Sequence, residues 1–217
     1  MLTLSLVDAL SRVDDPVVIA LGAHCDDIEI GAGATLHRLA RRVPGLRVLA
    51  TVLASTPARA REQRAALAAF LPGVPLELRI LELPDGRLPE HWLAVKEALH
   101  ELRERAGHAH VVFAPWAGDA HQDHRLLGEL TPTVFRDQPV LHYEILKYDG
   151  DVGRPNVFVP LGIDEARRKS ELLHAHYPSQ HQHTWFDEET FLALMRVRGV
   201  ECNAHYAEAF HVVKLVL

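Results

Sequence analysis

With 217 residues, 48% hydrophobic and 24% charged, the chain has an ordinary globular composition and enough length for one domain with a sizeable core. Its formal charge of −6 and the absence of any Lys/Arg run exclude a phosphate-tracking nucleic-acid surface. No stretch approaches a membrane span, the start Met1-Leu-Thr-Leu-Ser-Leu6 lacks a signal-peptide pattern, and two cysteines make no disulfide framework, so a reducing cytoplasm is the expected location.

Strand and helix signals alternate from the beginning. Residues 17–22 form a short apolar, β-branched run that predicts a buried strand. A helix is expected over 30–42, with Leu36, Leu39 and Val43 on one face and Arg38, Arg41 and Arg42 on the other, broken by Pro44-Gly45. A second strand follows at 46–54, and Pro57 opens a helix over 58–71 that Pro72-Gly73 stops. The third strand is expected at 76–81, the third helix at 89–105, the fourth strand at 110–114 and the next helix at 121–135. Residues 140–145 predict another strand. The last third is less regular: a short strand at 157–159, helices over 163–176 and 187–198, and a closing strand at 211–217. This order predicts an α/β fold with a mostly parallel sheet and helices on both faces. One domain is expected over 1–217, its core at 15–145 and a C-terminal part, 146–217, that completes the site and the sheet.

Two acidic-histidine clusters sit where strands should end. Ala23-His24-Cys25-Asp26-Asp27 follows the first strand, and His121-Gln122-Asp123-His124 follows the fourth. Ligands of open α/β sheets bind outside the carboxyl ends of the strands, so these turns can face one another across a crevice. Together they supply the imidazoles and carboxylates of a catalytic metal site with an open position. A helix N-cap is the usual reading of an isolated Asp-Asp after a strand, but His24 and the second cluster favour the metal. A nucleotide-binding oxidoreductase is the rival: Gly22 with Gly31 and Gly33 is a degenerate dinucleotide fingerprint. Its spacing is wrong, since the turn itself holds His24 to Asp27. His174, His176, His181 and His183, among 15 histidines, show no recurring ligand spacing and read as surface residues, with His181 or His183 as lid residues the next option.

The first cluster resembles the Ala-His-Pro-Asp-Asp motif of the PIG-L/LmbE-like zinc deacetylases, and the second resembles their His-x-Asp-His motif. Arg59-Ala-Arg-Glu62, Leu83-Pro-Asp-Gly86, Ser179-Gln180 and Tyr206-Ala-Glu-Ala-Phe210 match further signatures in order, so the likeness covers nearly the whole chain. The resemblance implies a Rossmann-like fold and removal of an acetyl or other acyl group from an amine, mainly on amino sugars. The departure is Cys25, where the family more often has proline; losing a fixed φ is expected to loosen the turn.

On this reading His24, Asp27 and His124 hold one Zn²⁺ per chain, and the same two-histidine, one-carboxylate set accommodates Fe²⁺ or another divalent metal. Asp26 takes a proton from the activated water, and His121 reaches the oxyanion or protonates the leaving amine. Asp123 orients His121 or another imidazole. Arg59 and Asp85 are expected to grip substrate hydroxyls, Glu62 to brace the site and Glu208 to tie the closing strand to the core. The expected partner is an amino-sugar derivative; a non-sugar polar amide is the alternative. Oligomeric state is open, and a homo-oligomer is allowed.

Overall fold

The computed structural model describes residues 3–216, so expectations touching Met1, Leu2 and Leu217 lie outside the described residues. In chain order the elements are α1 (Leu6–Ser11), β1 (Val17–His24), α2 (Asp27–Arg42), β2 (Arg47–Ala54), α3 (Pro57–Phe70) and β3 (Leu76–Leu83). A 3-10 turn, Leu88–His91, leads into α4 (Trp92–Ala106), followed by β4 (Val111–Pro115), α5 (Gln122–Val134) and β5 (Val140–Tyr143). The last third contributes β6 (Val157–Leu161), α6 (Ile163–His176), α7 (Glu188–Glu201) and β7 (Tyr206–His211).

The seven strands form one sheet in the order β3-β2-β1-β4-β5-β7-β6. β1 to β5 are parallel, and β7 runs antiparallel between β5 and β6. This is the Rossmann-like arrangement expected from the βα alternation. β1 lies mid-sheet and is buried at all eight positions, which explains its unbroken apolar run. Its alternate residues feed two cores. Val18 and Ala20 pack with Leu36, Phe70 and Leu173 on the face of α2, α3 and α6, whereas Val17, Ile19 and Leu21 pack with Val95, Leu99 and Leu127 on the face of α4 and α5. β3, at the edge, is never fully buried.

The final strand is a correction. It was expected at 211–217 but runs Tyr206–His211, and beyond it Val213 and Val216 are 87% and 88% exposed. The real strand holds two alanines and a glutamate, so its β character comes from being enclosed by β5 and β6 rather than from propensity. The glycines that hinted at a dinucleotide fingerprint have a packing explanation. A Cβ at Gly31 would collide with the Tyr143 ring, and one at Gly33 with Phe70, so both let α2 sit close to its neighbours.

The sheet order reverses at β1. β2 lies on one side of it and β4 on the other, with the chain leaving both β1 and β4 at their carboxyl ends. That switch point is where such a sheet opens a ligand crevice. The two acidic-histidine turns lie there.

Candidate metal and catalytic centre

His24 is the last residue of β1, and the turn after it is tight. Asp27 Oδ2 accepts the His24 amide at 2.8 Å, and α2 starts at Asp27, three residues earlier than the apolar pattern predicted. Between them Asp26 adopts φ 95°, a left-handed conformation that costs a non-glycine residue about 1–3 kcal/mol. The surroundings fix it there. Its amide donates to Gln63 Oε1 at 2.9 Å, Arg59 donates to its Oδ2 at 2.8 Å, and Arg59 also donates to the Cys25 carbonyl. Cys25 is fully buried, so the turn that proline would stiffen is held by α3.

The second turn is built from the loop after β4. His121 caps α5, its Nδ1 accepting the Asp123 amide at 3.2 Å. A neutral His121 therefore carries its proton on Nε2 and presents a donor. Both Asp123 oxygens are occupied: Gly86 and Leu88 amides donate to them at 2.8 and 3.0 Å, and Oδ2 also lies 3.0 Å from His24 Nε2. Asp123 thus orients His24 and not His121, the second of the two roles open to it.

His24 Nδ1 and His124 Nε2 face one another at 3.0 Å, with Asp27 oxygens 3.7 Å from the first and 3.3 Å from the second. Two ring nitrogens so close cannot each point a hydrogen at the other. A tetrahedral ion with ligand bonds of about 2.0–2.1 Å spaces its donors roughly 3.3 Å apart, so this trio fits a divalent metal. His121 also brings a ring nitrogen within 4.8 Å of His24 and His124, and a second group joins His24, Asp85, His121 and Asp123. The trio with Asp27 is the better socket: Asp27 spends one oxygen on the His24 amide and keeps Oδ1, whereas both Asp123 oxygens are committed to backbone amides and the Asp85 side chain is 68% exposed.

The electrostatics draw positive charge to the same point. Burial opposes protonation of His24, but Asp123, Asp85 and Asp27 outweigh it and lift the imidazole to about 10. Burial likewise opposes protonation of His124, which Asp27 and Asp119 raise to about 9. Burial would raise Asp27, yet the two imidazoles hold it below the ordinary carboxylate range. Asp26 goes the other way: burial raises it, Arg59 opposes and Asp27 reinforces. The two neighbouring carboxylates are thus shifted in opposite directions. His121 is lowered by burial and then by His24 and His124, which favours its neutral form.

The family model described as PIG-L: GlcNAc-PI de-N-acetylase matches residues 19–135, more than half of the chain. The chain belongs to the PIG-L family. Solved structures agree on the fold. A conserved protein of Thermus thermophilus superposes with TM-score 0.70 at 25% identity over 92% of this chain and 96% of its own. The N,N'-diacetylchitobiose deacetylase of Pyrococcus horikoshii gives 0.71 at 20% identity, covering 92% and 84%. A 4-carboxy-2-hydroxymuconate hydratase of Pseudomonas putida also gives 0.71, at 15% identity over 93% and 98%. One fold therefore hosts different chemistries, and the site must decide the function.

The remaining expected residues of this PIG-L chain divide between rim and frame. Asp85 stands at the rim with Oδ1 3.1 Å from His24 Nε2, a hydrogen bond that lowers it to about 2. Arg59, expected at substrate, is engaged with Asp26 and the Cys25 carbonyl, and its Nε is buried without a partner among the described residues. Glu62 braces the site from outside: its two oxygens accept the Ser179 amide at 2.9 Å and hydroxyl at 2.6 Å, joining two motifs 117 residues apart. His174 and His181 stack at 4.0 Å near the end of α6, away from this chemistry.

Sequence reasoning missed three residues. Asp119 Oδ2 lies 2.9 Å from His124 Nδ1 and orients that imidazole, as a carboxylate commonly does for a metal-binding histidine. Gln63 links the Asp26 amide, the Tyr177 hydroxyl and Glu29 in one buried chain. Lys147 pairs with Asp119 at 2.9 Å. For Asp119 the signal was present, as an acid five residues before His124; Gln63 and Lys147 offered none.

Proposed function

We propose that this chain is a divalent-metal-dependent N-deacetylase, a zinc enzyme by preference, acting on an acetylated amino sugar or its conjugate. The convergence of His24 Nδ1, His124 Nε2 and the Asp27 carboxylate, all three residues buried, carries this reading. Family membership and the diacetylchitobiose deacetylase neighbour support amide hydrolysis on a sugar. When bound there, the ion would polarise the acyl oxygen and acidify a water. Asp26 is the base that receives the water's proton: Arg59 holds Oδ2, and Oδ1 has no hydrogen-bond partner among the described residues. His121 offers its Nε2 hydrogen to the oxygen on which negative charge develops, and can pass a proton to the leaving amine. Asp119 and Asp123 keep the two imidazole ligands in their rings' working orientations. Asp85 and Arg59 are the proposed contacts for sugar hydroxyls near the scissile bond. No helix among the described residues is long and apolar enough to cross a membrane, and unpaired Cys25 and Cys202 suit the proposed cytoplasmic setting.

The test is turnover of zinc-loaded protein on a panel of N-acetyl sugars, glycoconjugates and simple acyl-anilides, with Asp26→Asn alongside. We expect a sugar preference, and a loss of about a hundred- to ten-thousandfold for Asp26→Asn at unchanged metal content. If Asp26→Asn empties the site, the two aspartates have been assigned the wrong way round. Equal activity on anilides and every sugar would favour the alternative, a deacylase of small non-sugar amides.

A further inference from the structure

The loop after β5 reaches back over the second histidine turn. Lys147 lies on this loop and is nearly buried, with its side chain 9% exposed. Its ammonium contacts Asp119 Oδ1 at 2.9 Å, Asp151 Oδ2 at 2.9 Å and the Ile145 carbonyl at 3.4 Å. Two of these oxygens accept its hydrogen bonds and Asp119 is its ion-pair partner, so the ammonium is committed to the loop and the second histidine turn. Asp151 is itself anchored, because its Oδ2 also accepts the Ala120 amide at 2.6 Å.

The consequence lies in how Asp119 is divided. Its Oδ1 is paired with the Lys147 ammonium at 2.9 Å and accepts the His121 amide at 2.7 Å, while Oδ2 is left to His124 Nδ1 at 2.9 Å. A carboxylate with one oxygen held by an amide and an ion pair is hindered from rotating away from the imidazole on its other oxygen. Lys147 and Asp151 lie beyond residues 19–135, so the C-terminal part of the chain supplies this half of the clasp, outside the segment that the family model matches.

We propose that Lys147, seated by Asp151, is a positioning residue that acts through Asp119 to aim His124 at the metal and so sets the affinity for it. The inference rests on the metal reading above. Losing a carboxylate that orients a ligating imidazole typically costs about 10–100-fold in metal affinity. Lys147 acts one bond further out, so its removal belongs at the lower end, about tenfold.

Zinc affinity is measured by competition with a chromogenic chelator for the full chain and for Lys147→Met, Asp119→Asn and the double variant. Lys147→Met should bind about tenfold more weakly and Asp119→Asn about 10–100-fold more weakly, the double no more weakly than Asp119→Asn alone. Activity lost by Lys147→Met at limiting zinc should return at saturating zinc with KM unchanged, which general unfolding would not allow. Lys147→Arg should keep affinity within about threefold, and it carries the test if Lys147→Met does not fold. Unchanged zinc affinity in Lys147→Met, or a loss that adds in full to that of Asp119→Asn, would overturn the inference. Wild-type chain that takes up no zinc would instead overturn the metal reading, and this inference with it.

Discussion

Two buried clusters of charge sit on this sheet and are built on opposite plans. Behind α2, Lys169 donates to Glu208 at 2.6 Å and to the Ile30 carbonyl at 2.5 Å, while the Ala34 and Thr35 amides donate to Glu208 at 2.9 and 2.7 Å. Opposite charges meet, each oxygen of Glu208 has a donor, and α2, α6 and β7 are pinned together. At the strand ends, by contrast, two ring nitrogens confront each other at 3.0 Å beside Asp27, and the carboxylates behind them pull both imidazoles toward the charged state. One cluster is complete in itself. The other leaves its like-natured nitrogens facing each other beside a carboxylate, the donor set that the proposed metal would join. Burial and hydrogen bonding are common to both, so neither alone identifies a site; the difference is whether donors and acceptors cancel within the cluster.

Removing one member from each should separate the two plans. His124→Ala should abolish stoichiometric zinc uptake and reduce deacetylation to background, the largest effect expected in the molecule. Its metal-free form should melt close to the metal-free wild type, because Asp119 keeps Lys147 and the His121 amide. Glu208→Gln should do the reverse. It leaves a buried ammonium without its counter-charge, which costs roughly 3–5 kcal/mol in urea unfolding of the metal-free protein. Zinc affinity of the molecules that remain folded should be unchanged. A second change, Lys169→Met, should recover part of the loss, since a buried pair replaced as a unit is often close to neutral. Full metal occupancy in His124→Ala, or a Glu208→Gln chain as stable as wild type, would erase the distinction.

The same contrast explains what could be read from the sequence. β1 to β5 and the helices between them were legible because the strands are short apolar runs or, in β3, apolar residues interleaved with charges, and most helices end at a proline or glycine, as at Pro44-Gly45 and Pro72-Gly73. The residues of the two histidine turns were legible because both turns lie at strand ends of one switch point, where spacing along the chain translates into proximity. Long-range partnership was not legible. Asp119 belongs with His124 and Lys147, and Lys147 with Asp151, through a loop of irregular backbone that carries no periodicity. β7 was misplaced for a related reason: Val212, Val213, Leu215 and Val216 look like a strand, whereas Ala207, Glu208 and Ala209 become one only by filling the gap between β5 and β6.

Arg59 offers the finest test of the comparison, because sequence and structure point it in different directions. The motif suggested a hand on the substrate; in the structure its guanidinium is engaged with the Asp26 carboxylate and the Cys25 carbonyl. If it chiefly holds the left-handed Asp26 in place, Arg59→Ala should lower kcat by about tenfold while KM and zinc content stay as in wild type. If the exposed edge of the side chain meets sugar hydroxyls, KM should rise for sugars and not for acyl-anilides. Arg59→Lys separates the two further: one nitrogen, Nη2, makes both contacts, and a lysine can still neutralise Asp26 but lacks the planar guanidinium that aims that nitrogen at the carboxylate and the Cys25 carbonyl together. Recovery of kcat by lysine would assign Arg59 to charge alone. A deficit as deep as alanine's would show that the turn needs the guanidinium itself, and that the Cys25 turn relies on Arg59 as well as on Gln63 from α3.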